Sequence, residues 1–282
     1  MKSKRKKTAA PAVDTTPRIR RAYFECRFGQ LHVATAFPVG GGFDDHPTLV
    51  CLHRCPLSSR VFRPFMEEMG RDRSVYAPDL PGCGESDAPP SKPAIEDYAA
   101  ALADFLDQMH FRQADVLGHH TGSLIAADLA LLRPQVVRRL VLVGLPVLNA
   151  EERATWARSM APFPAAADGS HLAVDWQRSV FPGSSPADLG TNVEDFSIRL
   201  HNGPNVWWMP NAALGYLAAE RLPLVTQPAL LIRARDHLWE ASLRAKPWMR
   251  QLKLVDLPEH GDGVFRSAPR EIAAAARSFL DR

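Results

Sequence analysis

Short apolar runs alternate along the chain with segments whose apolar residues recur at helical spacing. Ala22–Arg27, a turn at Phe28-Gly29 and Gln30–Phe37 predict a hairpin. Pro47–Leu52 predicts a buried strand, and Ser59–Met69 a helix with Val61, Phe65, Met66 and Met69 on one side. Further strands are predicted at Ser74–Ala77, Ala114–Leu117 and Arg139–Val143, separated by helices over Ile95–Met109 and Gly122–Leu132. The alternation stops over Pro146–Leu222, which is rich in Pro, Ala and Trp and shows helical pieces but no clear strand. It resumes as strand, helix, strand, helix over Ala229–Ile232, Leu238–Ala245, Leu252–Leu257 and Pro269–Leu280. Strand–helix alternation implies right-handed crossovers and a mainly parallel sheet, so the fold class is α/β. The expected organisation is a disordered basic arm over 1–17, a core over 18–145, a helical cap over 146–222 and the rest of the core over 223–282.

Composition narrows the function classes. With 46% hydrophobic and 23% charged residues, the 282-residue chain has ordinary globular usage. No apolar run approaches the roughly 20 residues of a membrane-spanning helix, so no membrane partner is expected. The net charge of +3 is misleading, because Met1–Lys7 alone carries five Lys and Arg and leaves −2 for the remainder. A basic tail of this kind does not predict a nucleic-acid-binding face. The basic residues are not followed by an apolar stretch, and the four cysteines (Cys26, Cys51, Cys55, Cys83) lack zinc-type spacing. Reduced thiols and a cytoplasmic location are therefore the expectation.

In a parallel α/β sheet, ligands bind beyond the carboxyl ends of the strands. Those ends carry His53-Arg54-Cys55-Pro56, Asp79–Asp87, Gly118-His119-His120-Thr121-Gly122, Arg235-Asp236 and Pro258–Asp262. Asp79–Ser86 reads D-x-P-G-x-G-x-S, and Gly118–Gly122 has the G-x-x-x-G frame of a strand–turn–helix elbow. On these motifs and their order the chain resembles the α/β-hydrolase family from about Arg18 onward. The resemblance implies a nucleophile elbow centred on residue 120. It also implies an oxyanion hole from the Thr121 amide and, most plausibly, that of Cys55, and a triad acid at Asp236.

The departures from that family decide the chemistry to expect. The elbow centre is His120 where the family usually has Ser, and Thr121 cannot replace it without losing the flanking glycines. The family's catalytic His position, counted from Pro258 and from Pro269, falls on Asp262, with His260 two residues earlier. An imidazole at the elbow faced by a carboxylate is the composition of a general-base dyad, so His120 paired with Asp262 is expected to activate a water. The expected function is cofactor-independent hydrolysis of an ester, lactone or similar small hydrophobic or aromatic molecule. Proton-transfer chemistry (lyase, isomerase or C–C cleavage) and a non-catalytic small-molecule binder are the alternatives. His53 is a weaker substrate-binding candidate, since its type packs structurally at such turns. Of the cap aromatics Trp156, Trp176, Phe181, Phe196, Trp207, Trp208 and Tyr216, the neighbours Trp207 and Trp208 face differently, so at most one is expected to touch substrate. No metal is expected, because adjacent His119 and His120 diverge and no H-x-x-x-H exists. The absence of G-x-G-x-x-G and of a phosphate-binding loop likewise predicts no nucleotide cofactor. The oligomeric state is not encoded in any of these features.

Overall fold

The computed structural model describes residues 16–43, 45–159, 165–179 and 189–282. Most of the expected basic arm, and Phe181, lie outside these residues. The sheet has eight strands in the order β1-β2-β4-β3-β5-β6-β7-β8. β1 (Arg20–Cys26) and β2 (Gly29–Ala36) form the expected hairpin, and β2 pairs antiparallel with β4 (Val75–Pro78). From β4 onward all pairs are parallel, through β3 (Thr48–Leu52), β5 (Ala114–His119), β6 (Val137–Val143), β7 (Ala229–Ala234) and β8 (Leu252–Leu257). The central strands β5 and β7 are buried along their whole length, as strands covered on both faces must be.

Helices pack on both faces of the sheet. On one face lie α2 (Ile95–Gln108) and α3 (Thr121–Leu132). α2 buries Ile95, Tyr98, Leu102, Phe105 and Leu106 along one stripe, and Asp97 caps its start by accepting from the Ala94 amide. α3 is apolar nearly all round because it is sandwiched between the sheet, α2 and α7 (Trp208–Gly215). On the other face lie α1 (Arg63–Met69), α9 (Val264–Ser267) and α10 (Pro269–Leu280), where Phe62, Phe65 and Phe265 stack edge to face or tilted. The predicted helix at Ser59–Met69 starts as a 3-10 turn over Ser59–Phe62. The helical spacing at Leu238–Ala245 yields only a 3-10 segment, Ala241–Ala245.

Between β6 and β7 the described residues hold α4 (Ala150–Ser159), α5 (Ser170–Ser179), α6 (Leu189–His201), α7 and α8 (Ala218–Arg221), and no strand. Side chains rather than sheet bonds anchor this segment. Arg153 donates to the carbonyls of Leu214 and Tyr216, Arg199 pairs with Asp175, and Asn202 donates to the Pro56 carbonyl while accepting from the Gly84 amide. No described helix is long and apolar enough to cross a membrane.

Candidate active site

The turn joining β5 to α3 sets the centre of the site. His120 sits there with φ 49° and ψ −112°, a conformation a residue with a Cβ adopts only when its surroundings enforce it. The surroundings do so through close approach on both sides. A Cβ on Gly118 would strike the Gly122 carbonyl, and one on Gly122 would strike the Leu52 carbonyl, so only glycine closes the turn. The His120 amide donates to Val143, and Ser123 donates its hydroxyl to the Gly118 carbonyl, which spends that hydroxyl inside the fold.

The strained turn aims His120 across the sheet at the end of β7. Its Nε2 lies 2.7 Å from Oδ2 of Asp236, whose Oδ1 accepts from the Leu238 amide. Nδ1 has no hydrogen-bond partner among the described residues. Burial lowers the His120 pKa below the ordinary histidine value and outweighs the opposing pull of Asp236. Burial works to raise the Asp236 carboxyl, but the bond and charge of His120 outweigh it and hold the group below its usual value. The pair at neutral pH is thus a neutral imidazole donating Nε2–H to a carboxylate, with a lone pair at Nδ1. The expected rise in basicity from a neighbouring carboxylate is present but smaller than the desolvation it meets.

The hydrogen bond expected from His120 to Asp262 is therefore made to Asp236 instead. The physical reason is geometric: β7 is the direct neighbour of β6 and its end faces the elbow, whereas Asp262 sits on a loop beyond β8. Asp262 still closes the group, since one ligand atom each from His120, Asp236 and Asp262 lie within 4.8 Å of one another. It is engaged on its other side by Arg54 (3.4 Å) and His237 (3.4 Å). Partial burial works against its ionisation, but His237 and Arg54 outweigh it and hold the carboxyl well below the usual range. The three ligand atoms are close enough to share one divalent ion, although Arg54 supplies a fixed positive charge to Asp262 already.

His237 is the residue that sequence reasoning missed. Its ring stands edge-on to His120 at 5.1 Å and packs on Trp156 at 4.9 Å, which gives the site a second imidazole–carboxylate pair, His237–Asp262. Its position immediately after Asp236 was the available signal. His119 is buried with both ring nitrogens unpartnered among the described residues, stacked between His120 and Phe265. Burial first, then its charged neighbours, lowers its pKa well below the ordinary value.

Four other candidates remain. His260 borders the cavity above the site, but its ring bonds Glu271 at 3.1 Å rather than His120, while its carbonyl accepts from the Arg235 amide. His53 is fully buried: its Nε2 accepts from the Leu80 amide and its Nδ1 donates to the Arg54 carbonyl, which fixes a neutral tautomer. It ties β3 to the turn after β4 and does not line the cavity, so its substrate-binding role is withdrawn. The Cys55 and Thr121 amides flank the site, and neither donates to an acceptor among the described residues. Burial and a hydrogen bond with Cys83 push the Cys55 thiol well above its usual value, which removes it as a nucleophile.

A cavity of about 1840 Å³ opens over these groups, lined by Arg54, Cys55, His119, His120, His237 and Asp262 below and by residues of α4–α7 above. Trp156, Phe196 and Trp207 line it; Trp208 does not. Of the two neighbouring tryptophans, at most one of which was expected to touch substrate, Trp207 is the one placed where it can. Trp207 also carries Lys92 over its ring at 5.1 Å.

The family model described as alpha/beta hydrolase fold matches residues 47–197. RutD of Stutzerimonas stutzeri, which carries a provisional name as a carbamate hydrolase, is 27% identical over 252 residues, covering 80% of this chain and 89% of its own. Epoxide hydrolase 4 of Mus musculus is 29% identical over 110 residues, 38% of this chain and 31% of its own. Among solved structures, the enol-lactonase from Burkholderia xenovorans LB400 superposes with a TM-score of 0.77 at 18% identity, covering 93% of this chain and all of that one. A hydrolase from Pseudomonas aeruginosa PA01 gives 0.76 at 20% identity, covering 93% and 98%. At such identities the structural likeness concerns the fold.

Proposed function

Because the chain belongs to the α/β-hydrolase fold family, we propose that it is a hydrolase in which His120 replaces the usual serine and acts as a general base. The observation that carries this reading is the His120–Asp236 pair held in a strained elbow, with Nδ1 left open beside a large cavity. In the proposed step, Nδ1 takes a proton from a water that attacks a carbonyl carbon. Asp236 stabilises the imidazolium that forms, and the amides of Thr121 and Cys55 receive the developing oxyanion. Collapse breaks the bond to the leaving group, which takes up the proton from His120. The carbamate-hydrolase name of RutD supports a carbonyl substrate, and Trp156, Phe196 and Trp207, on a wall that also carries Arg158, Asp175 and Arg199, support an aromatic ester, lactone or carbamate with a polar substituent. The helical segment 146–222 is proposed as the cap that selects it.

One observation favours a second reading. The His237–Asp262 pair beside His120 offers a donor opposite the base, an arrangement suited to lyase or isomerase proton transfer. The test is turnover of an ester, lactone and carbamate panel in heavy-oxygen water, with wild type and His120→Ala. Hydrolysis predicts label in the product and loss of turnover in the variant; unlabelled product dependent on His120 supports the second reading. Turnover unchanged by the substitution refutes both. Serine-directed fluorophosphonates should not label residues 118–123.

A further inference from the structure

A second cavity, about 210 Å³, shares no lining residue with the first. It lies between β1, β2, the Ser58–Arg63 segment and the end of α6. At its floor is His32, only 5% exposed. Nδ1 of this ring lies 2.8 Å from Oδ2 of Asp79, and Nε2 is buried with no partner among the described residues. The ring as a whole borders the cavity.

The rim shows what partner fits. Arg21, Arg60 and Arg63 all line the cavity, and among the described residues none of the three bonds a carboxylate. Elsewhere arginines are held by acids, as Arg138 is by Asp115, Arg221 by Asp128 and Arg233 by Asp256. Two acids also face this cavity. Asp79 is consumed by His32 and by the amides of Ser59 and Glu85, and Glu85 lies 3.8 Å from His201. Arg21, Arg60, Arg63, His32, Ser58 and Ser59 thus border one volume too small for an extended ligand.

We propose that this cavity binds a phosphate group, as inorganic phosphate or a small phosphomonoester. A tetrahedral oxyanion has enough acceptor oxygens for several donors arriving from different directions, which a planar carboxylate lacks. The three guanidinium groups and the serine hydroxyls supply donors to the phosphate oxygens, while His32 stays bonded to Asp79. Ser197, Ile198 and His201 of α6 form one wall, so an occupied site links the inserted helices to the core.

Isothermal titration at fixed ionic strength tests this with inorganic phosphate, glycerol phosphate and acetate. Saturable one-site binding of phosphate is expected, with acetate weaker. The exposed pair substitution Arg60→Ala/Arg63→Ala should weaken it by about tenfold or more, and Arg54→Ala in the first cavity should leave it unchanged. Tighter glycerol phosphate than inorganic phosphate identifies an ester as the better occupant, and the reverse identifies the free ion. The His32 ring resonances should shift on saturation. No saturation below roughly 10 mM phosphate overturns the proposal. So does binding that survives the double substitution or falls with Arg54→Ala.

Discussion

Two buried histidine–aspartate pairs sit in this molecule at nearly the same separation, His120–Asp236 through Nε2 at 2.7 Å and His32–Asp79 through Nδ1 at 2.8 Å. The His32 pair is built into regular structure. Its histidine lies on a strand, and its carboxylate also takes the Ser59 and Glu85 amides, so it staples β2 to two turns. The His120 pair rests on a strained turn, its carboxylate accepts one further amide, and its second imidazole nitrogen adjoins the main cavity. Equal bonds thus serve different ends. What separates a staple from a candidate base is the backbone that holds the ring and the volume beside its free nitrogen.

The largest effect should come from breaking the staple. Burial works to raise the Asp79 carboxyl, but the bonds from His32 and from the Ser59 and Glu85 amides outweigh it and bring the pKa to about 2. Asp79→Ala strands three donors at once and should cost about 3–5 kcal/mol, read from urea unfolding. Asp236→Ala should cost clearly less stability, because fewer donors lose their acceptor. Equal losses in the two variants would erase the distinction.

Activity should sort the pairs the other way. His120→Ala should lower kcat roughly 10²–10⁴-fold on whatever substrate the panel identifies, while leaving the fold intact. Asp236→Asn should fall in the same range, and the double variant should lose little beyond either single one. Asp262→Asn tests the second carboxylate. If its loss were additive with that of His120→Ala, the two residues would not act as a unit.

A smaller effect concerns pH. His53, His119 and His120 are all shifted down by burial, so the folded chain binds fewer protons than the unfolded chain on the acid side of about 6.5. These three histidines should therefore add no pH dependence above neutrality and should lower stability as pH drops below about 6.5, by at most about 1.4 kcal/mol per pH unit for each residue. His119→Phe should flatten that slope when urea midpoints are compared between pH 7.5 and 5. The activity of a neutral His120 base should also reach its plateau by pH 7, with its midpoint below the ordinary histidine value.

The smallest expected effect is on the cavity wall. Trp207→Ala should raise KM about fivefold, the loss of roughly 1 kcal/mol of aromatic contact, and Trp208→Ala should leave it unchanged. If Trp208→Ala alone changes KM, the lining described above is not the one substrate meets.

The sequence by itself determined the sheet, the elbow and the chemical character of the site. Alternating apolar runs demanded a parallel core, and Gly118 and Gly122 marked a turn that only glycine closes, with an imidazole at its centre. Asp236 was legible as an acid at a strand end. Local pattern could not say which carboxylate His120 would bond, because the choice between Asp236 and Asp262 depends on strand order, with β7 beside β6 and β8 one place further out. It could not expose His237 either, an exposed loop residue whose role comes from standing over His120 and meeting Asp262 from another loop. Likewise His260 counted as near the site along the chain, yet its side chain bonds Glu271 of α10. Spacing fixes which residues share an element. Which elements converge on one cavity, and which nitrogen of a ring is left open there, is settled by tertiary packing, since the contacts of His120 with Asp236 and His237 join residues more than a hundred positions apart.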